Sequence, residues 1–221
     1  MANQITYKTK CAYCGNEITF TGYDSVNATT DVELNKKLLN GTLFMVTCDN
    51  CQREVTCNYS IVYNNDDTKT LIHCAVGNDL YHAIITLNEF KQKYPQYKNY
   101  TIRAVASTTD LIEKVNIFNA GLDDRVIEIY KYLDVDGIKT MQPDANVSLA
   151  RFYVEDGKNK LEFDTYFELS KEILPSNYQF IKTLYSKQIE DAEDLFVIDS
   201  IWAEELFKYN KNSCKILQEF F

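Results

Sequence analysis

Only two histidines, His73 and His82, occur in 221 residues, too few for the histidine-rich clusters that build many catalytic metal sites. Glycine is scarce too, with seven in the chain. None falls in Gly-x-Gly-x-x-Gly, Gly-x-x-x-x-Gly-Lys or Gly-x-Ser-x-Gly order, so phosphate-cradling loops and the hydrolase nucleophile turn are missing. No window of roughly 18 residues is apolar enough to span a bilayer, and no basic leader with an apolar stretch and a small-residue cleavage site opens the chain. Export and membrane spanning are therefore not expected, and a reducing, cytoplasmic setting is. Basic charge is also short. Lys and Arg total 23 against 32 Asp and Glu, a net charge of −9 that disfavours general nucleic-acid binding.

Cysteine is what the chain does have. Four of its seven cysteines form two C-x-x-C pairs, Cys11-Ala-Tyr-Cys14 and Cys48-Asp-Asn-Cys51, and the odd total argues against a fully paired disulfide framework. Two intervening residues suit a knuckle offering two thiolates to one ion, and equally a redox dithiol. Glu17–Phe20 alternates as a strand leaving the first pair. Residues 30–41 read as a helix, with Thr30 and Glu33 as a capping box, Leu34 and Leu38 on one face, and Gly41 ending it. Leu43–Thr47 then runs as a strand into Cys48. This order can bring the pairs together, and four thiolates favour a tetrahedral zinc site with no position open for substrate. Unmetallated knuckles, a redox dithiol and an iron–sulfur centre stay open as alternatives. The redox reading would want a pair at a helix N-terminus, whereas both pairs here read as turns between strands.

The segment from Cys11 through Lys131 resembles the CpXC domain family, a bacterial group of uncharacterised function named for two cysteine pairs. The resemblance rests on Cys11/Cys14-Gly15, Asp24-Ser-Val-Asn27, the Leu34–Leu39 helix, Gly41-Thr-Leu-Phe44, Cys48/Cys51, and the stretches Leu111–Phe118 and Gly121–Lys131. It departs where the family has proline after the first cysteine of each pair, here Ala12 and Asp49, and where a glycine would follow the second pair, here Gln52. The resemblance implies a cysteine-rich domain and brings no established catalytic activity.

Other candidate groups read as structural. His73 and Cys74 are strand neighbours facing opposite ways, Cys57 is a spare thiol near the pairs, and Cys214, near an apolar C-terminal helix, reads as packing. Asp134-Val-Asp136-Gly137 reads as a turn, since the later oxygen ligands of a calcium loop are missing. Asp123-Asp124 is placed to favour the amide end of a helix, with Arg125 and Glu128 on its exposed or partly exposed turns. Tyr59, Tyr63, Tyr94, Tyr97 and Tyr100 could form a recognition surface, but compositional bias combined with half-buried strand and loop positions is the preferred reading.

The predicted fold class is α+β. Zinc-ribbon-like knuckles join a mainly antiparallel sheet with strands near 54–62, 70–75, 81–87 and 101–106, followed by a helix from about Asp110 and another over 123–132. The predicted domains are 1–133, CpXC-like and zinc-binding with a helical hairpin, and 134–221, a small acidic α+β unit. Within the latter, 147–155, 160–163 and 166–169 read as strands, and 177–185 and 199–207 as helices. The expected metal ligands are Cys11, Cys14, Cys48 and Cys51, the expected cofactor is Zn2+, and no catalytic residue is assigned. The leading functional expectation is a zinc-stabilised accessory or protein-interaction module with a protein partner of unknown identity. An enzyme with a dispersed site, using Asp66/Asp67 and Asp123/Asp124, is the second. A nucleic-acid-binding zinc ribbon is the third, because Lys8, Lys10, Lys36, Lys37 and Arg53 are balanced by acids and four thiolates around zinc carry about −2.

Overall fold

Two short hairpins carry the cysteine pairs, each with a pair at its tip. The structure, a computed structural model, describes residues 2–77 and 79–209, and divides into unit 1 (Met1–Val115) and unit 2 (Asn116–Phe221). Among the described residues it is α+β, with seven α-helices and four sheets. No described helix is long and apolar enough to cross a membrane.

In unit 1, β1 (Gln4–Lys10) pairs antiparallel with β2 (Glu17–Tyr23), in register from Gln4↔Tyr23 to Lys10↔Glu17. The rings of Tyr7, Phe20 and Tyr59 gather over this hairpin, Tyr7 stacking on Tyr59 at 4.9 Å. The stack lies directly on Gly22, where an added Cβ would come within 2.8 Å of the Tyr7 ring and 2.9 Å of the Tyr59 ring. Next come β3 (Ser25–Asn27) and helix α1 (Val32–Leu39), which buries Leu38 completely. The expected Thr30–Glu33 capping box does not form. Asn27 Oδ1 instead accepts the Thr29 and Thr30 amides, the Asn27 amide donates to Asp31 at the N-cap, and Glu33 pairs with Lys36. A local side chain has outcompeted the cap for the backbone donors.

The second hairpin joins β4 (Met45–Thr47) to β5 (Glu54–Thr56). The run expected as one strand over 54–62 is two strands, because β6 (Ile61–Asn65) leaves for a different sheet. That sheet runs β3-β6-β7-β8, with β7 at Thr70–Cys74 and β8 at Thr101–Val105. It is mixed: β3/β6 and β7/β8 are parallel and β6/β7 is antiparallel, while the other three sheets are wholly antiparallel. Parallel neighbours need a crossover, and helix α2 (Leu80–Lys93) supplies it between β7 and β8. The expected strand over 81–87 is therefore helical. Its buried residues, Ala83 and Leu87, are four apart on one helix face, while Tyr81 and His82 are exposed. Helix α3 (Thr108–Asn119) starts earlier than expected because Ser107 accepts the Asp110 amide at 3.1 Å and donates its hydroxyl to the Asp110 carboxylate at 2.6 Å.

Unit 2 is built on helix α4 (Asp124–Met141), which buries Val126, Ile127, Ile129, Tyr130 and Leu133. Asp123 caps it, accepting the Arg125 amide at 3.0 Å. The expected domain boundary at 133/134 lies inside α4, and Asp134–Gly137 is helix rather than turn. The helix persists because its apolar residues pack into the unit's core, which outweighs the modest penalty of one interior glycine. A three-stranded sheet follows, ordered β11-β10-β9, from β9 (Ala150–Glu155), β10 (Lys158–Phe163) and β11 (Leu169–Glu172). Only Leu169 of the expected strand at 166–169 is in β11. Phe152, Leu161, Phe163 and Ile173 join the core with Ile181 of α5 (Pro175–Leu184) and Ile189 of α6 (Ser186–Asp191). Phe207 of α7 (Ser200–Tyr209) completes it, stacked on Tyr132 at 4.4 Å. Cys214 lies outside the described residues.

Candidate metal centre

Each cysteine pair is held by the same backbone device. In the first, the Cys11 amide donates to Asn16 O at 2.8 Å and the Gly15 amide to Cys11 O at 2.9 Å. In the second, the Cys48 amide donates to Arg53 O at 2.9 Å and the Gln52 amide to Cys48 O at 2.8 Å. The residue after each second cysteine takes the left-handed conformation, Gly15 at φ 74° and Gln52 at φ 58°. These turns bring the Cys11, Cys14, Cys48 and Cys51 sulfurs within 4.8 Å of one another, a group able to hold a metal ion. The Cys11–Cys51 and Cys14–Cys48 sulfurs are each 3.7 Å apart, far beyond the ~2.05 Å of a disulfide.

Burial divides the four. Cys11 and Cys48 are buried with Ile18, Val55 and Cys57, whereas Cys14 is exposed and Cys51 half-buried. The Cys14 thiol is pulled down to about 6, first by a hydrogen bond from the Asn50 side chain and then by the Asn16 amide. At Cys51 a hydrogen bond from the Arg53 backbone favours the thiolate. Burial and the sulfurs of Cys11, Cys14 and Cys48 outweigh it and push the thiol up to about 11. Four sulfurs this close cannot all ionise without a cation between them. Asn50 is the contributor that sequence reading missed, although its place between Cys48 and Cys51 was a usable signal. Across the two knuckles, the Arg53 guanidinium lies 4.9 Å over the Tyr13 ring, tying one tip to the other.

Cys57 is buried in the same apolar cluster, with its thiol directed to Val55 O and raised by desolvation, and it is not one of the four grouped sulfurs. Cys74 is a core residue of β7. His73 is an ordinary strand residue opposite Val62. Burial holds its imidazole below the usual value, partly opposed by the Asp79 carboxylate. The unfolded chain therefore takes up a proton near pH 6.5 that the folded protein resists, so stability falls as pH drops through about 6.5 towards the folded value. Urea unfolding at pH 7.5 and 5.5 should show a smaller acid loss for His73→Gln than for the natural protein.

The paired acids are occupied structurally. Asp66 accepts from Tyr100 Oη at 2.6 Å and from Asn27 and Asn64 at 3.2 Å each, and the Tyr100 bond leads in holding its carboxyl below the usual range. Asp123 grips Arg125 as well as capping α4. Asp124 and Glu128 are both buried, so the expectation of an exposed or partly exposed turn fails for Glu128. Of the basic residues, Lys8 pairs with Glu17 and Lys36 with Glu33. Tyr59 and Tyr63 are core residues, Tyr94 and Tyr97 pack tilted against Phe90 at 4.8 and 4.9 Å, and Tyr100 meets Tyr97 edge-on at 4.7 Å.

The family model described as CpXC protein matches residues 9–131, more than half of the chain, and takes in both cysteine pairs. The chain belongs to the CpXC family. No curated protein and no solved structure matches it. Gln52, where the CpXC resemblance calls for glycine, has a physical consequence. A side chain in the left-handed conformation costs about 1 kcal/mol, partly offset by the bond from Gln52 Nε2 to Asp49 O at 2.7 Å. Gln52→Gly should raise the thermal midpoint of unit 1, a gain of about 0.5–1 kcal/mol.

Proposed function

We propose that this chain is a zinc-stabilised accessory or protein-interaction module working in a reducing, cytoplasmic setting. The observation that carries the reading is the saturated donor set. A tetrahedral centre with Zn–S bonds of about 2.3 Å has sulfur–sulfur edges of about 3.8 Å, and the two short edges here are 3.7 Å. A four-thiolate donor set suits zinc and leaves no ligand position for water or substrate. Cys11, Cys14, Cys48 and Cys51 would hold the ion, and the bound ion supplies folding energy by fastening the two hairpins. The acids that would serve an enzyme instead cap a helix or fix a turn, and the basic side chains expected for nucleic acid are partly taken up in local pairs.

Metal analysis of freshly purified protein, never exposed to chelator or oxidant, should find about one zinc per chain, with the four cysteines protected from alkylation. Zinc below about 0.2 per chain would remove the metal assignment. Affinity capture from the native cell should recover a stoichiometric protein partner. Turnover of a metabolite with no stable partner would overturn the module reading in favour of an enzyme.

A further inference from the structure

At one end of the unit-2 sheet, a groove of about 480 Å3 opens beside β10 and the loop that leads to β11. Glu162, Asp164 and Glu168 line it against a single guanidinium, Arg151, which stands opposite Glu162 in the β9–β10 register. The groove also carries Tyr166, 84% exposed, and Phe167, 49% exposed. Tyr166 is not a loose side chain, since Asn146 Nδ2 donates to its hydroxyl at 3.1 Å and holds the ring in place. Ser148 likewise donates to Asp164 at 3.1 Å. Among the described residues these carboxylates do not converge as the four sulfurs do, and only the cysteine cluster forms a group able to hold a metal ion. Spaced carboxylates interleaved with exposed rings match cations that are themselves spaced along a chain. Carboxylates repel a phosphate backbone, while aromatic faces attract arginine and lysine.

We propose that this groove docks a basic, arginine- or lysine-rich segment of a partner protein. The proposal rests on the protein-interaction reading above and gives that partner its chemistry. Rings of Tyr166 and Phe167 take the cationic side chains, while Glu162, Asp164 and Glu168 set the sign of the charge that enters.

The test uses the full chain, zinc-loaded, and a short fluorescent peptide of arginines spaced by glycines. Fluorescence anisotropy should show saturable binding that weakens with added salt. Tyr166→Ala and the double variant Glu162→Gln/Glu168→Gln should each weaken it at least about fivefold, while Glu33→Gln in unit 1 leaves it unchanged. All four positions are exposed, so the variants should fold. Absent saturable binding, or an equal loss with Glu33→Gln, would overturn the proposal. So would calcium uptake that disappears in the double variant, since the carboxylates would then belong to an ion. A native partner whose capture survives Tyr166→Ala, with no peptide binding, would discard the groove and keep the module reading. Failure to capture any partner would strike at the module reading itself.

Discussion

Cys48→Ser should empty the metal centre and unfold the knuckle pair, while the unfolding transition of unit 2 stays in place. Cys48 is fully buried, and its sulfur lies 3.7 Å from that of Cys14 on the other hairpin. A serine hydroxyl does not ionise near neutral pH and is a poor zinc ligand, and in this position it would also be a polar group in an apolar cluster. Structural zinc in small fingers contributes roughly 10–16 kcal/mol of apparent binding energy at neutral pH. A whole domain is typically stable by about 5–15 kcal/mol, so the loss can exceed what β1–β2 and β4–β5 hold without the ion. Zinc content should fall from about one per chain to below about 0.2, and hydrogen exchange should lose protection across residues 4–56. The chain's single tryptophan, Trp202, packs against the unit-2 core and reports the other transition, which should be kept. Cys57→Ser is the control: it alters a buried thiol of the same cluster and should keep the metal. Full metal content in Cys48→Ser would show that the four sulfurs are not the ligand set.

The knuckles were legible because everything that makes them is local. Cysteine spacing and the short strands on either side lie within a few positions of one another, whereas the left-handed turn at Gln52 is not written in its residue type. Helix α2 was not legible for the opposite reason. Tyr81–Leu87 alternates well enough for a strand, and what makes it a helix is the parallel pairing of β7 with β8, which no short window contains. The α1 capping box failed on a competition between neighbours, since Asn27 takes the Thr30 amide that Glu33 would have accepted. In unit 2 the misreading was one of burial. Glu128 was expected on an exposed or partly exposed turn and Asp134 in a turn, yet both are buried, as are Asp124 and Lys131, on a helix whose other sides are also covered. Charge is a sound guide to the surface only when its pairing partners are also there, and for Glu128 and Lys131 the partner is inside.

That buried charge gives the second large effect. Lys131 Nζ lies 3.0 Å from Glu128 Oε2, one helical turn away, with side chains only 7% and 3% exposed. A buried pair like this contributes little net stability when intact, because desolvation offsets most of its attraction, but removing one partner takes a compensating charge away from the other where water cannot replace it. Lys131→Met should therefore destabilise unit 2 by about 3–5 kcal/mol, read from urea unfolding followed at Trp202. Glu128→Leu combined with Lys131→Met should recover part of that loss, because two apolar side chains of similar volume replace the pair and neither half of it stays behind. The measurement separates two accounts of α4. If Lys131→Met alone costs less than about 1 kcal/mol, the ammonium reaches water and the pair behaves as a surface bridge. If the double variant is no better than the single one, then Glu128 is not the charge that Lys131 neutralises, and the cost lies in the packing of the lysine stem.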